Sequence, residues 1–170
     1  MLNSEFMEEA FIQNAVAYAA QCNLQLAERL GFGIHGIIYV AEDKSASGRT
    51  AVKAHREPEP YFREVSAYER LREENISEIL GFNIPQIIRA DNSLFVIEMT
   101  IVARPFVLDF AGAFLGAPPD FSDEIWADWE AEKQEQFGPR WPTVQTIMAS
   151  LRFIDIYMVD VSPSNIAFLD

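Results

Sequence analysis

Gly31-Phe32-Gly33-Ile34-His35-Gly36-Ile37-Ile38-Tyr39-Val40, followed by Thr50-Ala51-Val52-Lys53-Ala54, is the stretch that decides the fold. The three glycines fit G-x-G-x-x-G. In dinucleotide-binding folds that pattern ends a strand and opens a helix, but here two isoleucines, Tyr39 and Val40 follow it, and these are strand formers. The stretch therefore predicts two strands around a glycine-rich bend. Lys44-Ser45-Ala46-Ser47-Gly48 makes a second turn, and 50–54 a third strand, giving an antiparallel meander. Read alone, the motif fits equally well a hairpin turn that needs glycine for unusual dihedrals.

Upstream, residues 4–21 predict a helix. Ser4 can cap it, Glu8 and Glu9 are acids near its positive end, and Phe6, Ala10, Ile12, Val16 and Ala20 are its apolar stripe. Downstream, Glu57-Pro58-Glu59-Pro60 interrupts regular structure, and a helix follows over 60–74 with Val65, Tyr68 and Leu71 at three-residue spacing. Gln86–Ala90 and Leu94–Thr100 read as two more strands, turning at Asp91-Asn92-Ser93. The segment 102–120, broken by Pro105, Gly112, Gly116, Pro118 and Pro119, reads as a connector. Ser122 caps an acidic helix running to Gln136, with Trp126, Trp129 and Lys133 on it. Residues 142–156 form a last helix with Val144, Ile147, Met148, Leu151 and Ile154 as its stripe. A polar loop at 160–165 and a short strand over 166–169 end the pattern. The expected fold class is α+β: a five-stranded antiparallel sheet with one inserted helix, then a reduced helical part. The expected segments are 1–23, 24–101 and 102–170.

The chain of 170 residues is 49% hydrophobic and 12% aromatic, enough for a real core. Its 13 Lys and Arg against 26 Asp and Glu give a net charge of −13. That field repels nucleic acid and anionic membranes, so neither is an expected partner. It repels a nucleotide too, so a nucleotide site needs local cations or a metal. Cys22 is the one cysteine, which excludes an intramolecular disulfide and suits a reducing, cytoplasmic setting. There is no basic leader before an apolar stretch, and no run of about 18 apolar residues to span a bilayer.

Four features carry chemistry. The glycine hairpin can cover phosphates. Lys53, on the strand after it, can point an ammonium at phosphate oxygens beneath that hairpin. Glu64, in Arg63-Glu64-Val65 of the next helix, can fix the ammonium, with Glu69 as the second candidate. Asp160 and Asn165, five apart in a loop after an apolar helix, can place a base near a hydroxyl and an amide oxygen on Mg²⁺. Each alone has a bland counterpart: a hairpin turn, a strand lysine, a solvated helix acid, an Asx-rich turn. All four stand in order on the element type each needs.

In that combination the chain resembles the protein kinase superfamily. The similar residues are Gly31, Gly33 and Gly36, Ala51-Val52-Lys53, Phe62-Arg63-Glu64-Val65, Phe95-Val96-Ile97-Glu98-Met99, and Tyr157-Met158-Val159-Asp160 through Asn165. The resemblance covers 24–104 and 142–169. It implies a kinase-like fold binding ATP and Mg²⁺ between two lobes. Adenine would lie against Ile38, Ala51 and Ile97 and bond backbone near Glu98–Thr100. Lys53 would hold the phosphates with Glu64 behind it, Asp160 would orient the acceptor hydroxyl, and Asn165 would hold the metal.

The chain departs from the family where Met158-Val159-Asp160 replaces His-Arg-Asp, where Ser162 stands for a lysine, and in the short interval from Lys53 to Glu64. It contains no Asp-Phe-Gly motif, for which Asp170 is the candidate substitute. The expectation is a nucleotide-binding pseudokinase or weakly active form working through a protein partner, which would dock on the acidic helix or on an open edge of the last strand. The alternative is an active minimal ATP-dependent kinase acting on a protein or small-molecule hydroxyl. A fragment of a longer kinase-like protein is the third reading.

Overall fold

The computed structural model describes residues 4–170, with side chains from residue 10 onward. The expected Ser4 cap and the side chains of Glu5, Phe6, Glu8 and Glu9 lie outside the described residues. The chain forms two compact units: Met1–Val65 with Gln86–Ile101, and Ser66–Pro85 with Val102–Asp170. The N-terminal helix, expected as a segment of its own, belongs to the first unit, and residues 66–85 belong to the second.

The first unit starts with α1 (Ser4–Gln21) and the strands β1 (Leu24–Phe32), β2 (Gly36–Asp43) and β3 (Arg49–His55). Helix α2 (Pro58–Glu73) begins in it, and after β4 (Glu78–Ile79) and β5 (Phe82–Asn83) of the second unit come β6 (Ile87–Asp91) and β7 (Val96–Thr100). The sheet runs β1-β2-β3-β7-β6 with every neighbour antiparallel, the five-stranded arrangement expected. One face carries α1: Ile37, Ala41, Val52, Ala54 and Val96 pack with Phe11, Ala15, Tyr18 and Ala19.

That buried stripe is rotated from the expected one. Ala10, Val16 and Ala20 are exposed, while Phe11, Ala15, Tyr18 and Ala19 are inside. Apolar residues are spread around all sides of α1, eleven of its eighteen positions, so periodicity alone does not choose a face. The face that wins offers two alanines for close approach and a tyrosine for a buried polar partner. Just past the end of α1, Asn23 adopts the left-handed conformation with φ 57° that suits the residue following a helix C-terminus.

Pro58 and Pro60 do not interrupt regular structure. They lie in the first turn of α2, where a missing N–H costs nothing. Tyr61, Glu64, Val65, Tyr68 and Leu71 form its buried stripe at helical spacing.

In the second unit the expected connector holds two short strands, β8 (Phe106–Val107) and β9 (Phe114–Leu115). Helix α3 (Asp123–Phe137) starts at a Ser122 cap, whose hydroxyl accepts from the Ile125 N–H at 3.3 Å. A 3₁₀ turn at Gly138–Arg140 leads to α4 (Trp141–Phe153), then β10 (Ile156–Tyr157) and β11 (Ile166–Ala167). The α4 stripe of Val144, Ile147, Met148 and Leu151 is buried as its spacing predicts. One sheet runs β11-β8-β5-β4 and another pairs β10 with β9. The last strand is shorter than expected and has β8 as its partner, its other side being a sheet edge. Among the described residues no helix is long and apolar enough to cross a membrane.

Candidate functional site

Strand alternation places Ala51, Lys53 and His55 on the sheet face opposite Val52 and Ala54, and so away from α1. Register completes the surface. Ile38 and Ile97 lie beside Lys53, and Val40 and Met99 lie beside Ala51. A cation thus rises from an apolar floor made by three strands, and it includes Ile38, Ala51 and Ile97, the residues expected around adenine.

Helix α2 supplies the counter-ion. Glu64 lies within its buried stripe, whereas Glu69 is exposed. The Lys53 Nζ is 2.7 Å from Glu64 Oε2, and the two side chains are 4% and 1% exposed. His55 meets the same oxygen, with Nε2 at 2.6 Å. Burial alone would raise the Glu64 carboxyl, but the Lys53 charge and the His55 hydrogen bond more than offset it and hold the group down at about 2. The carboxylate is therefore ionised at any physiological pH. Sequence reasoning missed His55, although the alternation that paired Ala51 with Lys53 continues to it.

The three motif glycines differ. At Gly36 a Cβ would run into the Ala54 carbonyl of the neighbouring strand, so pairing with β3 demands glycine there. A Cβ at Gly31 would make only ordinary contact with Ile38, and one at Gly33 would meet nothing. None of the three has the left-handed φ that makes glycine compulsory. The hairpin closes through the Gly33 N–H on the Gly36 carbonyl at 2.9 Å, and the side chain of Ile34 between them is 81% exposed.

Glu98 and Thr100 lie in β7, which has strands on both sides. The Glu98 side chain points to the α1 face, where it accepts from Tyr18 Oη at 2.8 Å, Thr50 Oγ1 at 3.0 Å and Arg89 at 2.9 Å and 2.7 Å. The Thr100 N–H is bonded to the Gln86 carbonyl at 2.9 Å. Glu98 thus contributes no side chain to the Lys53 face; its carboxylate anchors α1.

In the second unit Asp160 and Asn165 are joined within one loop. Asn165 is buried, donates from Nδ2 to the Asp160 carbonyl at 2.6 Å, and accepts the Ser162 N–H on Oδ1 at 2.7 Å. The Leu108 N–H reaches the Asn165 carbonyl at 2.9 Å, and Trp129 of α3 donates its indole N–H to the Val159 carbonyl at 2.9 Å. Asp160 itself is exposed, seated so closely over Gly112 that a Cβ there would come within 2.8 Å of the Asp160 Cβ. Trp126 and Trp129 are half-buried in an aromatic row with Trp141. Asp170, the expected second metal carboxylate, is 93% exposed, with Arg104 Nη1 at 3.6 Å. Among the described residues no group of three or more His, Cys, Asp and Glu side chains is placed to hold a metal ion.

The architecture is an α+β chain with a five-stranded antiparallel sheet whose α1-free face carries a buried lysine–glutamate–histidine cluster. No family model, curated protein or solved structure matches it.

Proposed function

We propose that the chain is a kinase-like nucleotide-binding protein that acts by binding rather than by efficient phosphate transfer. The observation that carries this reading is the Lys53–Glu64 pair. A buried ammonium held at 2.7 Å by a carboxylate from a neighbouring helix is ready to meet phosphate without first paying to be desolvated and aimed. The apolar floor of Ile38, Ala51 and Ile97 suits a flat base. The open backbone at Gly31 and Gly33, which no internal contact requires to be glycine, suits close approach by phosphates. ATP is the expected ligand. For Mg²⁺ the fit is poor in this chain's own residues: Asn165 Oδ1 already accepts a backbone N–H, and Asp170 lies beside an arginine. Phosphate transfer depends on metal charge to offset that of the phosphates, so binding is the activity these residues favour.

A second reading, an active minimal kinase, draws on one observation: Asn165 ties the loop so that Asp160 is exposed and held. Thermal shift with ATP, with and without Mg²⁺, followed by a phosphate-transfer assay, separates the two. At a hundredfold excess over Kd, ATP should stabilise the protein by about 2.7 kcal/mol, and Lys53→Ala should lose the shift. Stabilisation without transfer supports binding. Transfer abolished by both Lys53→Ala and Asp160→Asn supports catalysis. Absence of any ATP-dependent shift at saturating concentration refutes both.

A further inference from the structure

The second unit holds a cleft of about 500 Å³, within the range of roughly 300–1,000 Å³ usual for small-molecule sites. Phe137 from the end of α3, Ile166 of β11 and Phe168 just after it give the cleft an apolar wall. Its charged side chains are Arg104, Arg140 and Asp170, two cations and one anion, which sum to +1 in a chain of net charge −13.

Both arginines are positioned by their surroundings. Arg104 stands between two fastened carbonyls: Asn83 donates its side-chain amide to Ala103 and its backbone N–H to Pro105, each at 2.9 Å. Arg140 ends the 3₁₀ turn that begins at Gly138, whose φ of 53° favours glycine. Its guanidinium lies 4.9 Å from the centre of the Phe168 ring, and that ring is fixed edge-on against the buried Phe82 at 4.9 Å. Neither cation is saturated. Among the described residues Arg104 has one carboxylate, Asp170 at 3.6 Å, longer than a hydrogen bond, and the Asp170 side chain is 93% exposed. Arg140 has no carboxylate, only a long hydrogen bond to the Leu169 carbonyl at 3.4 Å. A guanidinium carries five N–H donors, so most donors of both side chains have no protein acceptor.

We propose that this cleft binds a small amphipathic oxyanion, a carboxylate or phosphate carried on an apolar body, which replaces Asp170 beside Arg104. Planar guanidiniums match the paired oxygens of either headgroup. Phe137, Ile166 and Phe168 shelter the body from water. A bare inorganic ion would leave that wall uncovered, and a hydrocarbon without a headgroup would leave the donors unmatched. Asp170 shows that a carboxylate is drawn to Arg104, and its exposure lets it leave at little cost. The site is independent of the proposed nucleotide site in its residues, since Lys53 and Glu64 belong to the first unit.

The probes are octanoate and octyl phosphate, with inorganic phosphate as the headgroup alone, titrated calorimetrically into the full chain at low salt. An octyl probe should bind at least about tenfold more tightly than inorganic phosphate. Arg104→Gln and Arg140→Gln should each weaken it about tenfold. Asp170→Asn should strengthen it about fivefold by removing the competing charge, a gain that a merely structural role for the arginines would not produce. Both arginines are exposed, and if either glutamine variant does not fold, the Asp170→Asn gain tests the site by itself. Lys53→Ala should leave octyl-probe affinity unchanged. Binding of one octyl probe alone, lost in the arginine variants, supports the proposal and names the headgroup. The proposal is overturned if neither octyl probe binds, or if wild type and both arginine variants bind alike. It is equally overturned if inorganic phosphate binds as tightly as octyl phosphate, or if Lys53→Ala abolishes binding.

Discussion

The five-stranded sheet buries one carboxylate on each face, and the two are held in opposite ways. Glu98, on the α1 face, is gripped by a guanidinium and two hydroxyls: Arg89 at 2.9 Å and 2.7 Å, Tyr18 at 2.8 Å and Thr50 at 3.0 Å. Glu64, on the other face, is held by an ammonium and an imidazole converging on one oxygen. Arginine is a rigid fork that never loses its charge, and it suits a permanent joint. Lysine is a flexible point charge, and it suits a group that must be let go. The surroundings differ in the same sense. The Arg89 side chain is 48% exposed, so water backs the Glu98 joint, while Lys53, His55 and Glu64 are all but sealed. Identical side chains against opposite faces of one sheet thus become an anchor in one place and part of a sealed ion cluster in the other.

The largest test of that contrast is Glu64→Gln. It preserves shape and leaves Lys53 and His55 without their shared carboxylate, so chemical denaturation should report a loss of about 3–5 kcal/mol. A loss under 1 kcal/mol would mean the cluster relaxes into water and is not the sealed site described. Acid probes the same group without mutation. Glu64 ionises at about 2 when folded and near 4.5 when unfolded, so its contribution is fully present above pH 4.5 and disappears as pH falls toward 2. The interval corresponds to about 3 kcal/mol. Stability curves of wild type and Glu64→Gln should converge over that window, and parallel curves would contradict the assignment.

Glu98→Gln should cost less, about 1–3 kcal/mol, because the half-exposed Arg89 turns to solvent, one of the hydroxyls of Tyr18 and Thr50, which meet different carboxylate oxygens, keeps the amide oxygen as acceptor, and the other can accept from the amide N–H. If Glu98→Gln proved more damaging than Glu64→Gln, the ranking of anchor and cluster would be reversed. The measurement is a pair of denaturation curves at neutral pH.

These differences also explain what was legible in the sequence. α4 could be read because its stripe recurs with a single period, Val144, Ile147, Met148 and Leu151, and β3 could be read as a short strand after the glycine bend and the turn at 44–48, although alternation helps little there because residues 51–55 are buried on both faces. The lysine–glutamate pair could be read from Glu64's place in Arg63-Glu64-Val65, and the structure adds that Glu64 shares the buried helical stripe with Tyr61, Tyr68 and Leu71 while Glu69 does not. The face of α1 could not, since the choice between Phe11 and Ile12 depends on Glu98, eighty positions from Tyr18. Strands β8 and β9 are two residues each, below any period. The closure of the Asp160 loop by Trp129, thirty positions upstream, leaves no local trace.

Tyr18→Phe makes the finest cut. The Tyr18 side chain is buried, and burial followed by the Glu98 hydrogen bond pushes its phenol far above the ordinary range, so the hydroxyl is a donor at every accessible pH. Removing it deletes one of the bonds to Glu98 while leaving the ring in the α1 core, and Arg89 and Thr50 still satisfy both carboxylate oxygens. The expected loss is therefore that of a single hydrogen bond, about 0.5–1.5 kcal/mol, independent of pH through the neutral range. ATP affinity should not change, because the hydroxyl lies on the α1 face and Lys53 on the other. A Tyr18→Phe protein that lost ATP affinity as severely as Lys53→Ala would show that the two faces communicate through the sheet, and the division into anchor and working cluster would have to be abandoned.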